Sequence, residues 1–124
     1  MSSDPRMSTE CIFCKIVAGA IPSSKLYEDE DVLAFHDVRP QAPVHFLLIP
    51  KAHVPTLYDG GMEHQRAYGK MLALAGELAR KAGASDGFRI IINTGRVGHQ
   101  EVYHVHMHVI GGPDPVGPML MKRK

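Results

Sequence analysis

The sequence predicts an α+β domain built on an antiparallel meander of five strands, with one long and one short helix. Three observations carry this. Residues 103–109 alternate polar and apolar side chains, the period of a strand. Between Met62 and Ala82, Tyr68, Met71, Leu72, Ala75, Leu78, Ala79 and Ala82 recur at steps of three and four, which is one face of a helix. The remaining apolar runs are short, are joined mainly by short turns, and contain no repeat or low-complexity tract.

Taken in order, residues 1–10 read as a flexible lead-in, with Met7 a candidate internal start. Cys11 to Ala18 suits a short helix closed by Gly19, with Pro22 in the following turn. Leu26–Glu28 and Val32–His36 form two strands, and Asp29-Glu30-Asp31 between them makes a tight hairpin loop. Pro40-Gln41-Ala42-Pro43 is a second turn, leading into His45–Ile49, a strand stopped by Pro50. The long helix, Met62 to Ala82, has Arg80 and Lys81 in its last turn and Gly83 behind it. Phe88–Ile92 is a β-branched strand, Asn93–His99 a polar loop, Val102–Ile110 the last strand, and Gly111–Pro118 a loop rich in Gly and Pro. At 124 residues this is one domain. A chain of this size buries roughly two-thirds of its unfolded surface, so its core needs no staples.

Composition narrows the function. The chain is 44% hydrophobic and 22% charged, an ordinary globular balance. Its net charge is 14 − 13 = +1, against the strongly basic face that nucleic-acid binding requires. No apolar run approaches the ~20 residues of a membrane span. The first ten residues lack the apolar core of a secretory signal, so a reducing cytosol is the expected setting. Cys11 and Cys14, three apart, suit metal or redox chemistry better than a disulfide scaffold. No βαβ unit surrounds them, which disfavours a thioredoxin-like role, and with no second Cys-x-x-Cys a zinc needs histidines.

The chain has 8 histidines, and three of them, His104, His106 and His108, alternate within five residues. In a strand all three point to one face while Val105, Met107 and Val109 enter the core. The outer two then lie about 13 Å apart at ~3.3 Å per residue, too far for one metal with ~2.1 Å nitrogen bonds. A row of imidazoles fits better beside an extended anionic substrate, the middle ring facing the reacting atom. Neutral imidazole is a good nucleophile near pH 7, provided its other nitrogen has a partner that fixes the tautomer. No P-loop and no dinucleotide fingerprint is present.

His104-Val105-His106-Met107-His108-Val109-Ile110 resembles the motif of the histidine-triad (HIT) family. Phe35-His36-Asp37-Val38, Pro40 to Phe46, Ile49-Pro50-Lys51-Ala52-His53 and Gln100-Glu101-Val102-Tyr103 are similar to its Hint branch, the nucleoside phosphoramidases. The likeness spans residues 11–120, leaving 121–124 as a basic tail. It implies a HIT-like fold whose sheet continues across a homodimer, with the long helix near the two-fold axis and Gly117-Pro118-Met119-Leu120 near the partner's site. It implies hydrolysis of the P–N bond of purine nucleoside 5′-phosphoramidates, without a catalytic metal. His106 attacks the α-phosphorus to form a nucleotidyl-histidine, and water then releases the monophosphate. A backbone carbonyl and the neighbouring histidines, His45 and His104, orient that ring, and His108 donates to the phosphoryl oxygens. Asp37 accepts from the ribose hydroxyls. Phe13, Phe35, His36 and Val38 line the base pocket, and Asn93 reaches the phosphate. The loop Gly98-His99-Gln100-Glu101 completes the nucleotide site and serves the leaving group. The eukaryotic pattern there is Gly-Gly-Gln-Ser; Glu101 puts a carboxylate where that pattern has a hydroxyl, which bears on rate and leaving-group preference. Two other readings are a nucleotide-binding interaction module with incidental turnover, and a dinucleoside polyphosphate hydrolase of another HIT branch.

The same resemblance bears on the cysteines. Some bacterial HIT proteins hold a structural zinc through such a pair, the histidine of the Pro-Lys-x-His segment and the first triad histidine. Here those positions are Cys11, Cys14, His53 and His104.

Overall fold

The computed structural model describes residues 10–119. The expected lead-in, apart from Glu10, and the basic tail, together with Leu120, lie outside the described residues.

Helix α1 spans Ile12–Val17. Cys11 caps it in an extended conformation, its Sγ accepting from the Cys14 backbone amide and so satisfying one of the free N–H groups of the first turn. Strands β1 (Lys25–Glu28) and β2 (Val32–His36) form the first hairpin. Asp29 closes it, Oδ1 accepting from the Asp31 and Val32 amides at 2.8 and 3.0 Å. Burial pushes the Asp29 carboxyl up, but those amides, the Tyr27 hydroxyl and Lys70 outweigh it and hold the group well below the usual carboxylate range.

Strand β3 (Val44–Pro50) is buried at every residue, because both of its faces are covered. The chain then makes one 3-10 turn, Met62–His64, before α2, Gln65–Ala82. The regular helix therefore starts three residues later than the apolar spacing implies. It ends in a Schellman closure, Gly83 at φ +113° donating to Arg80 and Ala84 donating to Ala79. Met71, Ala75, Leu78 and Ala79 of α2 pack on Val32, Ala34, Val44, Phe46, Leu48, Met107 and Val109. On the opposite face Leu33, Phe35, Leu47 and Ile49 are covered by Phe13, Cys14 and Ile16 of α1. Thus α2 lies behind the sheet, and α1 and the candidate site lie in front.

The five antiparallel strands and two helices match the expectation, but their order is β1-β2-β3-β5-β4. After β3 the chain crosses by α2 to the far edge, β4 (Phe88–Ile91), and β5 (Met107–Gly111) returns between them. A plain meander would put β4 beside β3. The half-exposed β4 tolerates an edge; β5, whose Met107, Val109 and Gly111 are buried, does not. Strand β5 is also shorter than the alternation implies. Residues 102–106 are irregular, tied by His104 N–H to the Val102 carbonyl and by Val105 N–H to the Val54 carbonyl. No described helix is long and apolar enough to cross a membrane.

Candidate active site and metal centre

Two sets of polar side chains meet in front of the sheet, and His104 belongs to both. Its ring lies toward α1: Nδ1 is 3.3 Å from Cys11 Sγ and 3.6 Å from Cys14 Sγ, while His53 Nδ1 is 3.3 Å from Cys14 Sγ. The four ligand atoms all lie within 4.8 Å of one another. A zinc tetrahedron with ~2.3 Å sulfur and ~2.0 Å nitrogen bonds has sulfur–nitrogen edges of about 3.5 Å, so these positions fit one ion. The proton inventory fits too. His104 Nε2–H donates to the Pro50 carbonyl at 2.7 Å, which leaves the Nδ1 lone pair facing the thiols; a carbonyl accepting from the far ring nitrogen fixes a metal-ligating imidazole in the same way. The thiols are not joined in a disulfide. The set is therefore able to hold a metal ion, and it is the four residues that the resemblance singled out.

The backbone of His104 serves the second set. Its carbonyl accepts from Nδ1–H of His106 at 2.8 Å, so the free lone pair of His106 is on Nε2. Beside it stands His108, ring centroids 5.0 Å apart. Its tautomer is dictated by a chain that starts at the backbone. The Gln41 amide donates to His45 Nδ1 at 2.9 Å, leaving the His45 proton on Nε2. That proton faces His108 Nδ1 at 2.9 Å and Asp37 Oδ2 at 3.3 Å. His108 accepts on Nδ1 and so keeps a proton on Nε2, available as a donor. Asp37, His45 and His108 have the spacing of a second metal set. Their protons argue otherwise, since a metal would have to displace the His45 proton that completes the chain.

Burial lowers all of these imidazoles. His106 falls below 6.5, partly offset by the His104 carbonyl, Asp37 and Glu101. His108 falls to about 4 through burial and then its neighbours His106 and His45. His104 also falls to about 4, again mainly by burial. Burial lowers His45 and His53 as well. Near pH 7 the row is neutral, the state needed both by a nucleophile and by a metal ligand.

Several expected positions are placed differently. His104 and His106 precede β5 rather than lying on it, because the His104 ring turns to the thiols. His45 supports His108, not the His106 ring. Gln100 is buried, and its amide accepts from Gly95 N–H and donates to the Pro55 and Val102 carbonyls. It therefore binds three loop segments together instead of presenting polar atoms to a ligand. The loop turns tightly: a Cβ on Gly98 would sit 2.5 Å from the Thr94 carbonyl oxygen. His99 has φ +60° and is exposed, 3.5 Å from the exposed Glu101 carboxylate. Val38 and His36 are exposed and Asn93 is half-buried, all open to a ligand. Phe13 and Phe35 are buried edge-to-face, centroids 5.6 Å apart, and Phe13 also packs edge-on to His106 at 5.1 Å. The resemblance implies a backbone carbonyl behind His106, and it is that of His104; sequence reasoning missed the Gln41 amide and the Pro50 carbonyl. Every residue carries such groups, so no residue type marks them.

An antiparallel sheet backed by one long helix, with three alternating histidines entering its fourth strand in space, is the architecture of a histidine-triad domain. The HIT domain family model matches residues 18–114, and the chain belongs to that family. It is 50% identical over 115 residues, 92% of this chain and 96% of the relative, to the purine nucleoside phosphoramidase of Escherichia coli. A HIT family hydrolase from Clostridium thermocellum superposes with a TM-score of 0.86 at 36% identity, covering 93% of this chain and 100% of that one. A Zn-bound histidine triad family protein from Mycobacterium smegmatis does so with a TM-score of 0.74 at 36% identity, covering 92% and 81%.

Proposed function

We propose that this chain is a purine nucleoside phosphoramidase. The observation that carries the reading is the hydrogen bond from His106 Nδ1–H to the His104 carbonyl, which leaves Nε2 of a neutral, buried imidazole unprotonated. Nε2 attacks the α-phosphorus, the P–N bond breaks, and the leaving amine takes up a proton from solvent, which reaches this side of the site at the exposed His99 and Glu101. Water then attacks the same phosphorus and gives a proton back to solvent, the P–Nε2 bond breaks, and the nucleoside monophosphate departs. His108 Nε2–H faces the charge that builds on the phosphoryl oxygens in both steps. Asp37 binds the ribose hydroxyls, while Val38, His36, Phe35 and Phe13 flank the base and Asn93 the phosphate. The likeness to the E. coli enzyme supports the substrate class.

Cys11, Cys14, His53 and His104 hold a structural zinc, which when bound supplies a crosslink between α1, the loop after β3 and the triad. The protein acts as a homodimer in the cytosol: β4 is an edge strand with Phe88 and, on the neighbouring helix, Leu72 exposed. Light scattering at micromolar concentration checks this, and a monomer there excludes it. The functional test is incubation with adenosine 5′-phosphoramidate and, separately, with a diadenosine polyphosphate. Adenosine monophosphate from the first, with a trapped nucleotidyl adduct on His106, is the expected result. Turnover of the second alone assigns the chain to another branch, and binding without turnover makes it an interaction module.

A further inference from the structure

The metal-ligand set and the nucleophile share more than His104. Phe13 lies between the two cysteines in sequence, and its ring packs edge-on against both imidazoles, 5.9 Å from His104 and 5.1 Å from His106 at an interplanar angle of 85°. Two routes therefore join the cluster to the nucleophile. One is the His104 residue itself, ring to the thiols and carbonyl to His106 Nδ1. The other is α1, whose first turn is bracketed by Cys11 and Cys14 and whose buried side chains are Phe13, Cys14 and Ile16.

Helix α1 has six residues and no acidic residue in its first turn. A helix this short does not persist on its own propensity, so its place depends on what ties it down. Its ties among the described residues include apolar packing and the two thiols. Whatever fixes the thiols to His53 and His104 fixes Phe13 against the nucleophile.

Resting on the function proposed above, we infer that Phe13 is a positioning residue through which the four-residue cluster holds the His106 ring, so that the state of the cluster sets the rate of the first chemical step. The bond from the ring's own Nδ1–H to the His104 carbonyl fixes its tautomer; the Phe13 ring packed against it limits its rotation. A nucleophile free to turn loses the aligned attack geometry while the nucleotide site is intact.

The test compares Phe13→Leu with the wild type, both zinc-loaded. The variant should retain its metal by elemental analysis and lose kcat by about ten- to a hundredfold, a larger factor than the rise in KM that its place beside the base brings. A residue that only lined the base pocket would raise KM instead. Long-range ¹H–¹⁵N correlation of the ring nitrogens gives a readout independent of turnover. Wild-type His106 should show a single tautomer protonated at Nδ1, and Phe13→Leu, in which the freed ring turns away from the His104 carbonyl for part of the time, should show averaging. Chelator titration of the wild type, followed by the same spectra and by circular dichroism, makes the measurement without any substitution and should produce the same averaging. An unchanged kcat and ring pattern in metal-loaded Phe13→Leu overturns the inference. So does a chelated, folded wild type whose His106 pattern does not change. If no form hydrolyses the phosphoramidate but the ring pattern follows the metal, the coupling stands and the proposed function falls.

Discussion

Replacing Gln100 with Ala removes a side chain that sequence reasoning placed at the ligand and the structure places between loops. Its Oε1 accepts from Gly95 N–H at 2.9 Å, and its Nε2 donates to the Pro55 and Val102 carbonyls at 2.7 and 2.9 Å. Each such bond contributes about 1 kcal/mol net, and a buried partner left unsatisfied costs about 1–3 kcal/mol. Gln100 is only 7% exposed, so water replaces it poorly at the inner carbonyls, while Gly95 is half-exposed and is rehydrated more readily. The expected loss is therefore about 2–3 kcal/mol. At about 4 °C per kcal/mol for a domain of this size, the Tm falls by roughly 8–12 °C. Gln100→Glu keeps the acceptor for Gly95 but turns a carboxylate oxygen toward two carbonyls, so at neutral pH it should destabilise at least as much as Ala. Calorimetry reads both, with urea titration checking that the m-value is unchanged. Because the loop carries Val102 and so the turn into His104, kcat on the phosphoramidate should fall in both variants below their melting range. A Gln100→Ala protein melting within about 2 °C of the wild type with unchanged kcat would refute this account of the loop.

His106→Asn should abolish turnover while keeping nucleotide affinity within about tenfold, since the ring supplies the nucleophile and only part of the binding; kinetics beside calorimetric titration decide it, and near-normal kcat would name the wrong histidine. Asp37→Ala should weaken binding of ribonucleotides more than that of analogues lacking the ribose hydroxyls, and equal losses would remove Asp37 from the sugar. Stability should fall on acidification. An unfolded imidazole titrates near 6.5, whereas burial holds folded His108 at about 4, so between those values only the unfolded chain takes up the proton. The contribution is fully present above pH 6.5 and disappears toward pH 4, and a Tm flat across that window would contradict the neutral row. Elemental analysis should find about one zinc per chain, and Cys11→Ser with Cys14→Ser should lower the Tm yet leave measurable activity in the cold; metal-free protein with an unchanged Tm would reduce the cysteines to packing.

The helix α2, the first hairpin and the paired cysteines were legible because their causes are local. The apolar stripe from Tyr68 to Ala82, the turn at Asp29 and the capping thiol of Cys11 each act within a few residues. The triad itself was legible as chemistry, three imidazoles beside one another, and the resemblance supplied the remote partners of Cys11 and Cys14. The strand reading of residues 102–106 failed for an identifiable reason. Alternation describes which side chains want burial, but the His104 ring is drawn to thiols 93 and 90 residues away and to the Pro50 carbonyl. That pull outweighs a regular ladder there.

By itself, then, the sequence determined the kinds of element, the side chains able to act as nucleophile, donor and metal ligand, and the family they belong to. Only the tertiary structure decided that β5 enters between β3 and β4, that His45 serves His108, that Gln100 binds loops, and that one histidine's ring and carbonyl face different sites. The physical reason is common to all four. They depend on backbone amides and carbonyls, which are the same at every residue, and on contacts between segments far apart in the chain. Neither leaves a mark in the order of residue types.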